Sequence, residues 1–287
     1  ESYWMPVDLY VGGAEHAVLH LLYARFWHHV LHDLGHVSTR EPFQKLFNQG
    51  MILGKDGSKM SKSKGNVINP DEVVDEYGAD SMRLYEMFMG PLDKAKPWQT
   101  TGLQGCSRFI NKLWKKVCSS DGLSENITSD TAESETIKLK HQTIKKISDD
   151  IENLRFNTAI SQMMIFTNHL TTLKSINREI LQTFTQLLAP FIPHTAEEIW
   201  QRLGNDNSIT FEPWPDYDEE LAKENIISIA IQVNGKLRAN IEIDANADKE
   251  DILKSAKEND RIDNYIAGKE LIKEIYVPGR LINFVVK

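Results

Sequence analysis

Lys59-Met60-Ser61-Lys62-Ser63 is the stretch of this sequence best equipped for chemistry. With Lys55 before it and Lys64 after it, four lysines fall within ten residues, and Gly54, Gly57 and Gly65 surround them. Lysine is a compact charge on a flexible stem, suited to phosphate, and glycine lets the backbone approach a ligand. The loop follows the apolar run Gly50-Met51-Ile52-Leu53 and precedes a helix start. There Asn69 fits the N-cap, Pro70 the first helical position, and Asp71 and Glu72 the positive end of the helix dipole. A strand, a basic loop and a helix in that order make a phosphate site. The plain alternative is a solvated lysine turn.

A second group is Gly12-Gly13, Glu15, His16 and His20, just past a strand-like run over 7–11. The carboxyl ends of strands are where open α/β sheets bind ligands. Four residues apart, His16 and His20 are expected on one face of a helix. The third group is electrostatic. The chain carries a formal net charge of −8, yet from Lys94 to Ser120 its charged residues are Lys94, Lys96, Arg108, Lys112, Lys115 and Lys116, with no acid. A local reversal of this kind points to a polyanionic partner, although a charged helix face can also be merely solvated.

Period and punctuation place these groups on elements. A helix is expected over 14–33, closed by Gly35, with Val18, Leu21, Leu22, Arg25, Phe26 and Val30 as its buried stripe. A strand over 46–53 leads into the lysine loop. Helices follow over 70–77 and 79–89, with Asp80 and Arg83 spaced to pair. The helix over 101–117 has Leu103, Cys106, Phe109, Ile110, Leu113, Trp114 and Val117 on one stripe. After a polar loop over 119–134, helices over 135–154, 157–173, 178–188 and 195–203 make a bundle. An extended linker over 211–217 precedes a change of period. Strands over 226–233 and 237–243 flank Asn234-Gly235, a strong hairpin signal; a helix from Asp248, a further turn over 263–267 and a second hairpin about Pro278-Gly279 complete a small ββαββ unit. The expected fold is mainly α: part of a Rossmann-like α/β domain (1–68), an α-helical bundle (69–215) and a small α+β C-terminal domain (216–287).

Composition agrees with a globular protein: 287 residues, 41% hydrophobic and 26% charged. No apolar run approaches a membrane span, and the N-terminus reads as carrying no leader. Cys106 and Cys118 suggest neither a disulfide framework nor a metal site, so a reducing cytoplasm is expected.

The lysine loop is the KMSKS motif as found in class I aminoacyl-tRNA synthetases. Gly12-Gly13-Ala14-Glu15-His16-Ala17-Val18-Leu19-His20, Gln49-Gly50-Met51, Tyr77-Gly78-Ala79-Asp80 with Arg83, Pro190-Phe191-Ile192-Pro193-His194, Gln232-Val233-Asn234-Gly235-Lys236-Leu237-Arg238-Ala239 and Tyr276-Val277-Pro278-Gly279-Arg280-Leu281 resemble bacterial leucyl-tRNA synthetases. The resemblance covers essentially the whole chain. It implies an enzyme joining leucine to tRNA-Leu with ATP and Mg2+, working as a cytoplasmic monomer.

By that resemblance Lys59 and Lys62 are catalytic. Gly12, Gly13, Glu15, His16, Gln49 and the loop residues Lys59, Met60, Ser61, Lys62 and Ser63 hold ATP or the adenylate: Glu15 at the ribose, His16 near the adenosine and Gln49 near the adenine. His20 lies near the leucine side chain. Arg108, Lys112, Lys115, Lys116, Lys236, Arg238, Lys269 and Arg280 are the tRNA candidates. The sequence has no His-x-Gly-His motif and no editing insertion, so it reads as a C-terminal fragment that is inactive alone. The rivals are a non-catalytic tRNA-binding module with a vestigial phosphate loop, or a class I synthetase for another aliphatic amino acid or methionine.

Overall fold

The computed structural model describes residues 1–223, 226–244 and 247–287. They form two compact units, Glu1–Ala222 and Lys223–Lys287, each with its own apolar core.

The first unit begins with short parallel strand pairs. β1 (Tyr10–Val11) lies beside β2 (Leu46–Phe47), with Tyr10 opposite Leu46. β3 (Ile52–Leu53) lies beside β4 (Lys96–Pro97). The single strand expected over 46–53 is therefore two strands that join different partners. Gly50 explains the division. Its N–H donates to the carbonyl of Leu92 at 2.7 Å, and a Cβ there would sit 2.0 Å from the carbonyl oxygen of Lys94. The chain leaves β2 at this close backbone crossing and emerges beside β4.

The helix expected over 14–33 is also divided. A 3-10 turn covers Ala14–Ala17, and α1 (His20–Asp33) starts after Leu19, whose φ of −103° and ψ of −91° are not helical. His16 and His20 consequently do not share a continuous helix face. The expected stripe of α1 is largely uncovered: Val18 is 71% exposed, and Leu22 and Phe26 are exposed as well. Arg25 is not in a buried stripe either; it forms a two-pronged ion pair with Glu41, both bonds 2.7 Å. Only His28 of α1 is buried, its Nε2 lying 2.8 Å from the carbonyl of Thr39. An amphipathic stripe marks a face that needs covering; here Leu21 and Val30 are half-buried while Val18, Leu22 and Phe26 stay open.

The helices that follow form one core. They are α2 (Pro70–Tyr77), α3 (Ala79–Phe88), α4 (Thr100–Val117), α5 (Ser134–Glu152), α6 (Phe156–Thr172), α7 (Arg178–Leu188), α8 (Pro193–Arg202) and the short α9 (Glu219–Ala222). Leu103, Cys106, Phe109, Leu113 and Val117 of α4 are buried as their spacing predicts, together with Ile144, Ile147, Ile160, Met163, Phe166 and Phe184. Burial pushes the Cys106 thiol up to about 12, as befits an inert core thiol. The polar segment over 119–134 is not wholly a loop: β5 (Ile127–Thr128) pairs in parallel with β6 (Ile176–Asn177). Trp214 in the extended stretch donates its indole N–H to the Ser148 hydroxyl at 2.8 Å, so that stretch lies against the bundle.

Asp80 and Arg83 do not pair. Arg83 donates to the carbonyl of Pro190 at 3.0 Å. Asp80 is only 8% exposed and caps α8: its carboxylate accepts from the N–H of Thr195 (2.7 Å), the Thr195 hydroxyl (2.6 Å) and the N–H of His194 (3.3 Å), and lies 2.9 Å from His194 Nδ1. The first N–H groups of a helix have no partner within it, and here they find one on α3.

In the second unit β7 (Ile226–Val233), β8 (Lys236–Asp244), β9 (Leu271–Val277) and β10 (Leu281–Val286) make one sheet in the order β8-β7-β10-β9, with β7 and β10 parallel. Asn234 (φ 51°) and Gly235 (φ 77°) make the tight turn their types predict. Helices α10 (Lys249–Lys257) and α11 (Asp260–Ile266) cover one face; α11 replaces the short turn expected over 263–267, its Asn259 cap accepting from the Arg261 N–H at 3.1 Å. Ile229, Ile231, Ile282 and Phe284 are buried against Ile252, Ala256 and Ile262.

Candidate nucleotide-binding site

Three segments follow the carboxyl ends of short strands: Gly12-Gly13 with Glu15 and His16 after β1, Gln49 after β2, and the lysine loop after β3. Gly12 is buried and donates its N–H to the carbonyl of Phe47 at 3.2 Å, which ties the first segment to the second. The Glu15 carboxylate folds back over Gly13, where a Cβ would lie 2.3 Å from it. His20 lies beside two rings, 5.6 Å from Tyr10 and 6.4 Å from Phe43 by centroid. Glu15, His16, His20 and Gln49 are all exposed.

The lysine loop is built in two turns. Leu53 bridges Lys59, and the Gly54 N–H donates to the Ser58 carbonyl at 2.8 Å, closing the first. A 3-10 turn over Lys62–Lys64 closes the second, ended by Gly65 at φ 65°, which a side chain would disfavour. Met60 is half-buried and packs on the main core, fastening the loop from below. Lys55, Lys59, Lys62 and Lys64 are exposed, and among the described residues their ammonium groups have no hydrogen-bond or ion-pair partner. The helix behind starts as its sequence predicts, Asn69 accepting from the Asp71 N–H at 3.1 Å. The arrangement offers an anion four mobile cations held on an anchored backbone.

Asn66 and Asp56 take part in the loop's internal bonding and were not foreseen as site residues. Asn66 Oδ1 accepts from the Ser61 N–H at 2.9 Å, and Asp56 accepts from the Ser58 hydroxyl at 2.8 Å and N–H at 3.1 Å. The Ser58 hydroxyl foremost, then the Ser58 amide and Asn66, hold the Asp56 carboxyl below the usual carboxylate range. The available signal was Asp-Gly-Ser, whose acid bonds to the backbone two residues on in a tight turn.

The basic segment divides. Lys94 pairs with Asp93 at 3.2 Å, Lys96 donates to the carbonyl of Gly90 at 3.1 Å, Lys112 to Asn168 Oδ1 at 2.7 Å and Lys116 to the carbonyl of Leu173 at 2.6 Å. The last two stitch α4 to α6. Arg108 and Lys115 alone of the six have no such partner among the described residues. With Asn111 and Lys112 they line an open groove of about 640 Å³. In the second unit Lys236, Lys269 and Arg280 are exposed. Arg238 instead stacks on Tyr265, 4.3 Å from the ring centroid. Among the described residues no group of three or more His, Cys, Asp or Glu could hold a metal ion, and no helix is long and apolar enough to cross a membrane.

Comparison with known proteins gives this geometry a family. Residues 4–98 match the family described as tRNA synthetases class I (I, L, M and V), and residues 135–253 match the anticodon-binding domain of tRNA ligase. Leucine–tRNA ligases of Chlorobaculum parvum, Chlorobaculum tepidum and Chloroherpeton thalassium are each 54% identical across the whole chain. The chain spans 36% of the length of these relatives. The structure is similar to that of LeuRS from Agrobacterium radiobacter in a ternary complex with tRNA and LeuAMS, with a TM-score of 0.74 at 34% identity, covering 98% of this chain and 38% of that one. Throughout its length, therefore, the chain is similar to part of the leucine–tRNA ligases, and residues 4–98 match the class I tRNA synthetases.

Proposed function

We propose that the intact protein containing this chain activates leucine with ATP and attaches it to tRNA-Leu. The leucine carboxylate attacks the α-phosphate of ATP, pyrophosphate leaves, and leucyl-adenylate forms. A hydroxyl of the terminal ribose of tRNA then attacks the carbonyl of the adenylate, and AMP leaves. The observation that carries the reading is the anchored loop whose Lys59 and Lys62 are exposed and, among the described residues, unpaired, in a chain 54% identical to leucine–tRNA ligases. These lysines neutralise the charge that grows on the departing pyrophosphate. Gly12, Gly13, Glu15, His16, Gln49 and the backbone of Met60, Ser61 and Ser63 receive the adenylate, and His20 borders the leucine side chain. Mg2+ would accompany ATP and neutralise charge on its phosphates. Arg108 and Lys115 in the first unit, and Lys236, Lys269 and Arg280 in the second, face the tRNA backbone.

Lys62→Ala in the full-length enzyme tests the role of the loop. An interaction made mainly in the transition state raises kcat more than it lowers KM. Removing one such donor costs about 10²–10³ in rate, roughly 3–4 kcal/mol. Activation should fall by that amount. Transfer from preformed leucyl-adenylate should fall far less, since no pyrophosphate leaves in that step. Rapid-quench measurement of the two steps decides, and equal losses would refute the assignment.

A further inference from the structure

Met60 packs the loop onto the core, but one side chain supplies the hydrogen bonds to the backbone that carries Lys59 and Lys62. Among the described residues, Asn66 makes the only side-chain hydrogen bonds to the main chain of residues 59–63: Oδ1 accepts from the Ser61 N–H at 2.9 Å, and Nδ2 approaches the Lys59 carbonyl at 3.4 Å. The same Nδ2 donates to the Ser58 hydroxyl at 3.0 Å, and that hydroxyl donates to Asp56 Oδ2 at 2.8 Å. Longer approaches, 3.3 and 3.4 Å, run from Nδ2 to the Asp56 carboxylate itself. Amide, hydroxyl and carboxylate thus form a directed relay in which each donor strengthens the next. It crosses from the first turn of the loop to the second, and Ser61, which it grips, lies between the two lysines. Asn66 is half-buried while both lysines are exposed, so the clasp lies inside the loop and the lysines project from it. The left-handed Gly65 brings Asn66 back over the first turn. A side chain that merely terminated the loop would need neither the Ser61 bond nor the link to Asp56, because Asn69 already caps the helix behind it.

We propose that Asn66 is a positioning residue for Lys59 and Lys62, and that the Asn66–Ser58–Asp56 relay fixes the loop in the shape that delivers both ammonium groups to the departing pyrophosphate. The proposal rests on the functional reading above. Misplacing a catalytic group by an ångström costs up to about 10²-fold in rate. Asn66→Ala in the full-length enzyme should therefore lower kcat for leucine-dependent ATP–pyrophosphate exchange by about 10- to 100-fold. KM for leucine should stay within about twofold, as for an interaction made in the transition state. Transfer from preformed leucyl-adenylate should be unchanged.

Asn66→Asp preserves the acceptor for Ser61 but removes the donor and sets a carboxylate against Asp56, so it should be at least as damaging as Asn66→Ala. Adding Asp56→Asn to Asn66→Asp returns one amide and one carboxylate to the pair and should recover most of the exchange rate. A purely structural role would not produce that rescue, nor the split between activation and transfer. An active wild type matched by Asn66→Ala, equal losses in both steps, or no rescue by the double exchange would each overturn the inference. A wild type that fails to exchange pyrophosphate with leucine overturns the functional reading and this inference with it, a result distinct from the other three.

Discussion

Gly50 bears on the lysine loop through the backbone, and Asp80 on the bundle through its cap of α8. A Cβ on Gly50 would lie 2.0 Å from the Lys94 carbonyl oxygen and 2.6 Å from the Ala95 nitrogen; both are backbone atoms and cannot swing aside. Gly50→Ala should lower stability by about 1–3 kcal/mol through overpacking, read from the denaturant midpoint, and should displace β3 and the loop it leads into. For Asp80, burial raises the carboxyl, but the Thr195 and His194 bonds outweigh it and leave the group below its ordinary 3.8. A depressed carboxyl contributes stability that is complete above pH 3.8 and is lost as pH falls through the lower folded value. Asp80→Asn keeps the shape and loses the charge. It should cost about 1–3 kcal/mol near neutrality, and the gap in Tm between variant and wild type should narrow as the pH is taken below 3.8.

Among the elements, α4 carries two kinds of cation, and separate substitutions distinguish them. Lys116 donates to the carbonyl of Leu173 at the C-terminal end of α6, where a positive charge meets the negative end of a helix dipole. Lys116→Ala should destabilise the bundle by about 1 kcal/mol in a melting experiment. Among the described residues Arg108 and Lys115 make no such bond. Arg108→Ala with Lys115→Ala should leave Tm unchanged but weaken tRNA binding and reduce the slope of log affinity against log salt by about 2 units. An unchanged slope would mean that this face is only solvated.

The molecule divides at Ala222 into units with separate cores. Among the described residues, the core of the second unit sets Ile229, Ile231 and Phe284 against Ile252, Ala256 and Ile262. A unit of roughly sixty residues is near the lower limit for folding alone. Residues 223–287 expressed alone should nonetheless give a dispersed amide NMR spectrum and a cooperative melt. A collapsed, poorly dispersed spectrum would show that the first unit is needed to order it.

Signals confined to a few neighbouring residues were readable before any coordinates. The basic loop, the Asn69 cap, the Asn234-Gly235 turn and the apolar stripe of α4 each depend on local torsion preferences, caps or helical period, and each lies where its residue types place it. Much of the candidate site is of this kind, because its lysines belong to one loop after one strand. Interactions between distant segments were not readable. Asp80 reaches Thr195 across 115 residues, Lys116 reaches Leu173, and β3 takes its partner from residues 96–97. No periodicity encodes such meetings, because a carboxylate, an ammonium or a backbone N–H has the same local signature whether it faces water or a remote helix end. The α1 stripe errs for the same reason: hydrophobic spacing identifies which face wants cover, and only the packing of elements determines whether cover is there.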